Sequence, residues 1–183
     1  MRVPRTFVFV DISGFTNFTN ENGDDAAGRL LASWRAVTRD VASETGVRIA
    51  KWLGDGCMIV AVDQRDAITF ALELQKRSGA ACAPLSIRVG MASGLALLFE
   101  GDDYIGTAVN MAARLCDAAG SFEVIIPSEQ IENLPEGVVA TPHSPMSLRG
   151  LNEAIPVVSL TGEATNAARN DTGELWTRSP FVL

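Results

Sequence analysis

The strongest constraint on the fold is the stretch Lys51-Trp52-Leu53-Gly54-Asp55-Gly56-Cys57-Met58, which sets an Asp-Gly dipeptide between the apolar runs Val47 to Ala50 and Met58 to Val62. Two such runs around that dipeptide predict a β-hairpin, because both central turn residues need positive φ and Asp-Gly accepts it. Hairpin tips ordinarily carry solvated residues. This one places a lysine four residues before an aspartate, beside a tryptophan and a leucine. An exposed cross-strand ion pair, worth well under about 1 kcal/mol, would account for Lys51 and Asp55. A binding site would account for them equally, and the rest of the chain decides.

Thr6 to Val10 reads as a buried strand, and Asp11 follows at its carboxyl end. Acids there cap the next helix or, in open α/β sheets, face a ligand. A helix from about Asp24 to Glu44 carries Leu30, Trp34, Val37 and Val41 at helical spacing, which assigns Trp34 to the core; Gly46 stands just past its end. After the hairpin, Arg65 to about Gly79 reads as a second helix, with Ile68, Leu72 and Gln75 along one edge. Pro84 separates it from a strand, Ile87 to Met91, a break near Ser93-Gly94, and a further strand, Leu95 to Phe99. The order β, α, β, β, α, β is the split βαβ pattern of a ferredoxin-like α/β core.

A polar, glycine-bounded loop, Gly101 to Gly106, precedes a helix from about Thr107 to Ala118 with the apolar stripe Ile105, Val109, Ala112 and Cys116. Asn110 and Arg114 lie one turn apart on a different face, so they can converge on one ligand or stand as ordinary surface residues. A short strand, Glu123 to Ile126, and a helical turn from Ser128 lead to a loop-rich stretch, Pro135 to Pro145. Ser147-Leu-Arg-Gly-Leu then enters a last strand, Pro156 to Leu160. From Thr161 the composition turns polar and reads as a tail without its own core, with Trp176 and Phe181-Val-Leu as candidates for docking. The expected division is a folded domain over residues 1–160 and a tail over 161–183.

A chain of 183 residues, 47 % hydrophobic and 20 % charged, suits one soluble domain with a sizeable core and a tail. Its net charge of −7 argues against a general nucleic-acid or anionic-membrane surface, leaving room for a local phosphate pocket. Cys57, Cys82 and Cys116 are odd in number and widely spaced, which suits reduced thiols rather than a disulfide framework or zinc site. Met1 to Thr6 lacks the apolar region of a signal peptide, and the apolar stretch Val89 to Phe99 is too short to span a bilayer. The expected location is cytoplasmic. His143, the only histidine, lies in the proline-rich loop, which sets aside a Ser/His/Asp hydrolase.

Four segments, in order, resemble the class III nucleotidyl cyclase catalytic domain: Phe9-Val-Asp11-Ile-Ser-Gly-Phe-Thr, Lys51-Trp-Leu-Gly-Asp55-Gly, Arg88-Val-Gly-Met-Ala-Ser-Gly94, and Gly101-Asp-Asp-Tyr-Ile-Gly-Thr-Ala-Val-Asn110-Met-Ala-Ala-Arg114-Leu. The resemblance covers about Thr6 to Leu160 and implies a ferredoxin-like α/β domain that forms a head-to-tail homodimer. It implies that Asp11 and Asp55, with a backbone carbonyl near Ile12, hold two Mg²⁺ or Mn²⁺ ions. It pairs Lys51 and Asp103 as readers of adenine, Asn110 and Arg114 as transition-state residues, and Arg149 as a contact to the triphosphate. A guanylyl cyclase of the family typically has an acid and a small or thiol residue in place of Lys51 and Asp103. The implied activity is adenylate cyclase, making cyclic AMP and pyrophosphate from ATP. Other nucleotide specificities, or a non-catalytic nucleotide-binding module on the same fold, are the alternatives.

That chemistry explains the residue types. In cyclisation the ribose 3′-hydroxyl attacks the α-phosphorus in line and pyrophosphate leaves, so a poor nucleophile and a highly charged leaving group both need help. Hard carboxylate oxygens suit the divalent ions that give it. Lysine only donates and aspartate only accepts, which matches adenine and inverts against guanine.

Overall fold

The computed structural model describes residues 1–100, 103–150 and 153–162. Within them one eight-stranded sheet carries helices on both faces. The elements run β1 (Arg2–Ser13), α1 (Phe15–Asn22), α2 (Asp24–Thr45), β2 (Arg48–Leu53), β3 (Gly56–Ala61), α3 (Gln64–Ala81), β4 (Ser86–Phe99), β5 (Asp103–Ile105), α4 (Thr107–Ala118), β6 (Val124–Pro127), a 3₁₀ turn (Ser128–Gln130), β7 (Val138–Met146) and β8 (Ile155–Gly162). The strand order is β2-β3-β1-β4-β6-β8-β7, with β5 paired to β4 beside this path. Only β4 and β6 run parallel. The half β2-β3-β1-β4 with α2 and α3 is the expected ferredoxin-like core, and the remaining strands extend it to a mixed α+β sheet.

Period-two alternation along β1 sorts its side chains between two cores. Val8, Val10 and Ile12 join Trp34 and Val41 of α2 and Ile68 and Leu74 of α3; Trp34 is fully buried, as expected. On the other face Phe7, with Met58, Val60 and Ala92, packs under Ala108 and Ala112 of α4. That helix lies directly on the strand beneath it. A Cβ on Gly90 would stand 2.1 Å from the Cys116 nitrogen and 2.5 Å from the Ala112 carbonyl oxygen.

Several expectations are corrected. The break near Ser93-Gly94 does not exist: β4 is continuous and pairs with β1 from Arg2 opposite Leu97 to Ser13 opposite Ser86. Partnership along the whole length of β1 overrides the weak local propensity of Ser-Gly. The polar segment Phe15–Asn22 forms α1, and Pro135 to Pro145 contains most of β7. Of the stripe assigned to α4, Ala112 and Cys116 are buried as expected, but Ile105 is 56 % exposed and Val109 only partly buried, and Ala108 and Leu115 complete the buried face. The expected loop before α4 contains β5; Gly101 and Asp102 lie outside the described residues. Thr161 and Gly162 belong to β8, while the rest of the expected tail, with Trp176 and Phe181 to Leu183, lies outside them.

Candidate active site

Asp11 falls on the α4 side of β1, and the strand register flanks it with Gly56 of β3 and Arg88 of β4. A Cβ on Gly56 would stand 2.6 Å from the Val10 carbonyl oxygen and 3.4 Å from Asp11 Oδ1, so glycine leaves space beside the carboxylate. Arg88 fills the other flank. Its Nε and Nη2 donate to Asp11 Oδ2 at 2.9 and 2.6 Å, and its Nη1 donates to the Asp117 carbonyl at 2.9 Å. Asp55 arrives from the hairpin, where its carbonyl accepts the Ile12 N–H at 3.2 Å. Burial raises the Asp11 pKa above the ordinary aspartate value; the hydrogen bond from Arg88 opposes this, and the Asp55 charge adds to the rise.

The hairpin turn differs from the expected form. Its central residues are Gly54 and Asp55, and positive φ falls on Gly54 (69°) but not on Asp55. Glycine at the first central position with positive φ is the type II′ pattern. The Asp-Gly dipeptide therefore straddles the end of the turn, with Gly56 already in the ladder.

A cavity of about 200 Å³ opens at this end, lined by Phe9, Asp11, Leu53, Gly56, Cys116 and Asp117 among others. Two carboxylates close enough that the charge of Asp55 raises the proton affinity of Asp11, in a half-buried place with space left by a glycine, fit a hard divalent cation. Among the described residues no group of three or more His, Cys, Asp or Glu forms a metal cluster, so any such ion rests on this pair and on backbone or ligand oxygens.

Lys51 stands in β2, just after a register shift that follows Ile49. Asp103 opens β5, opposite Phe99. Tyr104 packs edge-on against Phe7 with ring centroids 5.4 Å apart, which brings β5 to the α4 side of β1. There Lys51 Nζ donates to Asp103 Oδ1 across 52 residues of sequence, with side chains 43 % and 51 % exposed. The two residues expected to read the base meet.

Asn110 stands on the exposed side of α4, one turn before Arg114. The Arg114 guanidinium lies 3.3 to 3.4 Å from where a Cβ on Gly150 would be, and Gly150 has φ +82°. The turn after Leu148 thus folds against it. Arg114 and Arg149 line one cavity of about 180 Å³ with Asp117 and Ser147, two cations suited to a polyphosphate. The candidate residues fall into three pairs: Asp11 with Asp55, Lys51 with Asp103, Arg114 with Arg149. Sequence reasoning gave Arg88 no role, because its place across from Asp11 depends on strand register. Asp117, which lines both cavities, carried no signal beyond its position after Arg114.

Residues 4–161 match the model of the adenylate and guanylate cyclase catalytic domain family. The chain belongs to this family. The cyclase domain is 32 % identical over 152 residues to an uncharacterized protein of Mycobacterium tuberculosis, covering 83 % of this chain and 40 % of that protein. It is 31 % identical over 126 residues to an adenylate cyclase of Streptomyces coelicolor, covering 69 % and 33 %. The chain thus spans well under half the length of these relatives. Its fold is that of the adenylyl cyclase CyaB from P. aeruginosa, with TM-score 0.77 at 23 % identity over 88 % of this chain and 95 % of that one. Among the described residues no helix of the cyclase domain is long and apolar enough to cross a membrane.

Proposed function

We propose that the chain is an adenylate cyclase, converting ATP to 3′,5′-cyclic AMP and pyrophosphate at sites shared between two copies. The observation that carries this reading is the meeting of Lys51 with Asp103. A pure donor beside a pure acceptor matches the N1 acceptor and N6 donor of adenine, whereas guanine sets like against like. Polar groups left unpaired once a bound base covers them make that discrimination large. Asp11 and Asp55, with the Ile12 carbonyl, would hold two Mg²⁺ or Mn²⁺ ions, which when bound lower the pKa of the ribose 3′-hydroxyl and neutralise the triphosphate. Asn110 orients the ribose so that its 3′ oxygen lies in line with the bond that breaks. Arg114 supplies fixed positive charge at the crowded phosphorus, and Arg149 holds the triphosphate beside it.

Lys51 and Asp55 share one hairpin, yet an adenine and its α-phosphate lie on opposite sides of a ribose. A head-to-tail homodimer removes the conflict: Asp11 and Asp55 of one copy face Lys51, Asp103, Asn110 and Arg114 of the other, giving two equivalent sites across an isologous contact. Leu95, Leu97 and Phe99 alternate along β4, with Ile105 beside Leu97, and their exposed apolar face supports such a contact. We read residues 1–160 as this catalytic domain, 161–183 as an appended tail, and the cytoplasm as its location.

The reading is tested by incubation with ATP or GTP plus Mg²⁺ or Mn²⁺ and identification of the cyclic product. Cyclic AMP is expected, and the absence of any cyclic nucleotide would overturn the reading. Mixing an Asp55→Ala chain with an Arg114→Ala chain should restore about one working site per heterodimer. No recovery on mixing, or full activity from a strict monomer, sinks the shared site.

A further inference from the structure

The middle of α2 lies behind the turn that carries Asp55. Arg35 of α2 donates from Nη2 to the Gly54 carbonyl at 2.7 Å, and its guanidinium lies 4.9 Å from the centre of the Trp52 ring. Trp52 in turn meets the buried Trp34 edge-on, with centroids 5.8 Å apart. The arginine is therefore fixed by a cation–π face on one side and a carbonyl on the other. Its Nε is buried without a hydrogen-bond partner, an unfavourable state that a surface arginine would escape by turning outward. It is held in place at a cost.

What it holds is the turn itself. Gly54 and Asp55 are the two central residues, and Asp55 is bound from the other side by the Ile12 N–H to its carbonyl at 3.2 Å. The backbone of the turn is gripped from β1 and from α2, while the bond from Arg35 goes to a main-chain oxygen and leaves the Asp55 carboxylate uncommitted. Groups that orient a ligand without touching the ion commonly change metal affinity by about ten- to a hundredfold when removed.

We propose that Arg35 is a positioning residue that sets the aim of the Asp55 carboxylate and hence the affinity of the chain for its divalent ion. The proposal rests on the reading of Asp11 and Asp55 as the cation pair. Arg39 supplies the internal control: it stacks on the same Trp52 ring at 5.2 Å, one turn further along α2.

The test is Mn²⁺ binding by the full chain, followed by electron paramagnetic resonance of the free ion, for wild type, Arg35→Met, Arg39→Met and Asp55→Ala. Arg35→Met keeps the apolar stem and should weaken Mn²⁺ binding on the order of tenfold. Arg39→Met should leave it unchanged, and Asp55→Ala should remove it. In turnover, the metal concentration for half-maximal rate should rise in Arg35→Met, while the nucleotide KM at saturating metal stays put. If Arg35→Met binds as wild type while Asp55→Ala does not bind, Arg35 only packs and the proposal fails alone. Equal weakening in Arg35→Met and Arg39→Met would assign the effect to the stack and also overturn it. If Asp55→Ala binds as wild type, the carboxylate reading falls and the proposal with it. Should Arg35→Met fail to fold by circular dichroism, Arg35→Lys carries the same comparison, since it keeps the charge but loses the planar fork.

Discussion

Lys51 and Asp55 sit on one hairpin, yet the surroundings of the two are built in opposite ways. At the Asp55 end, Asp11 is embedded in the middle of the sheet, flanked in register by β3 and β4 and tied to Arg88, with side chains only 27 % and 28 % exposed. At the Lys51 end, an edge strand and a three-residue strand each lend one side chain to a pair that is about half in solvent. The first region is fixed by main-chain hydrogen bonds, the second by two side chains that can part. In the proposed reading the ions bind the rigid end and the base binds the yielding end, which matches what each must do. An ion needs its ligands set to within tenths of an ångström. A flat base has to slide between two groups that already satisfy one another.

The contrast is broken most directly at its rigid end. Asp11→Ala should lower the rate of cyclic-nucleotide formation about a hundredfold or more, measured by product yield. It should also lower stability by about 1–3 kcal/mol, because Arg88 loses its carboxylate in a half-buried place, and thermal melting reads this. A mutant that loses activity with an unchanged melting curve would show that the Arg88 pair does not support the sheet.

At the yielding end the effect should fall on choice of substrate rather than on the fold. Lys51→Glu with Asp103→Cys should move preference from ATP toward GTP in competition assays, and retained ATP preference would remove the base-reading assignment. Lys51→Met alone should change stability by well under about 1 kcal/mol, since an exposed ion pair contributes little, and a larger loss in denaturant titration would contradict the contrast.

The smallest effect concerns the thiols. Burial pushes Cys82 up to about 11 and Cys116, beside Asp11, up to about 12. At pH 8 only about one Cys82 in a thousand is then a thiolate, so alkylation should be slow in the native chain and fast once it unfolds. Because reactivity follows the thiolate, labelling should climb as the pH approaches 11. Rapid labelling of Cys116 at neutral pH would mean that the Asp11 end opens far more than its register implies.

Much of this was legible in the residues. The helix Thr107–Ala118 could be bounded from its glycine-flanked entry, and Trp34 was placed in the core by helical spacing alone. Asp11, Lys51, Asp55, Asp103, Asn110 and Arg114 were singled out through the resemblance of their segments to the cyclase family, and their roles remain part of the proposal. What escaped depends on partners distant in sequence. β7 was hidden by Pro142 and Pro145, which an edge strand tolerates because its outer N–H groups have no ladder to join. α1 was hidden because its threonines and asparagines leave Phe15 and Phe18 as a single apolar pair, too little to show a period. Arg88 and Arg35 are ordinary arginines until the register and the helix packing set them against Asp11 and Gly54.

The bare backbone seat beneath α4 has a mechanical consequence. Where Gly90 lets helix and strand touch without intervening atoms, there is no cushion of side chains along which one could glide over the other. Asn110 and Arg114 therefore ride at a set height above β4, and any displacement of this helix has to carry the strand with it as one plate.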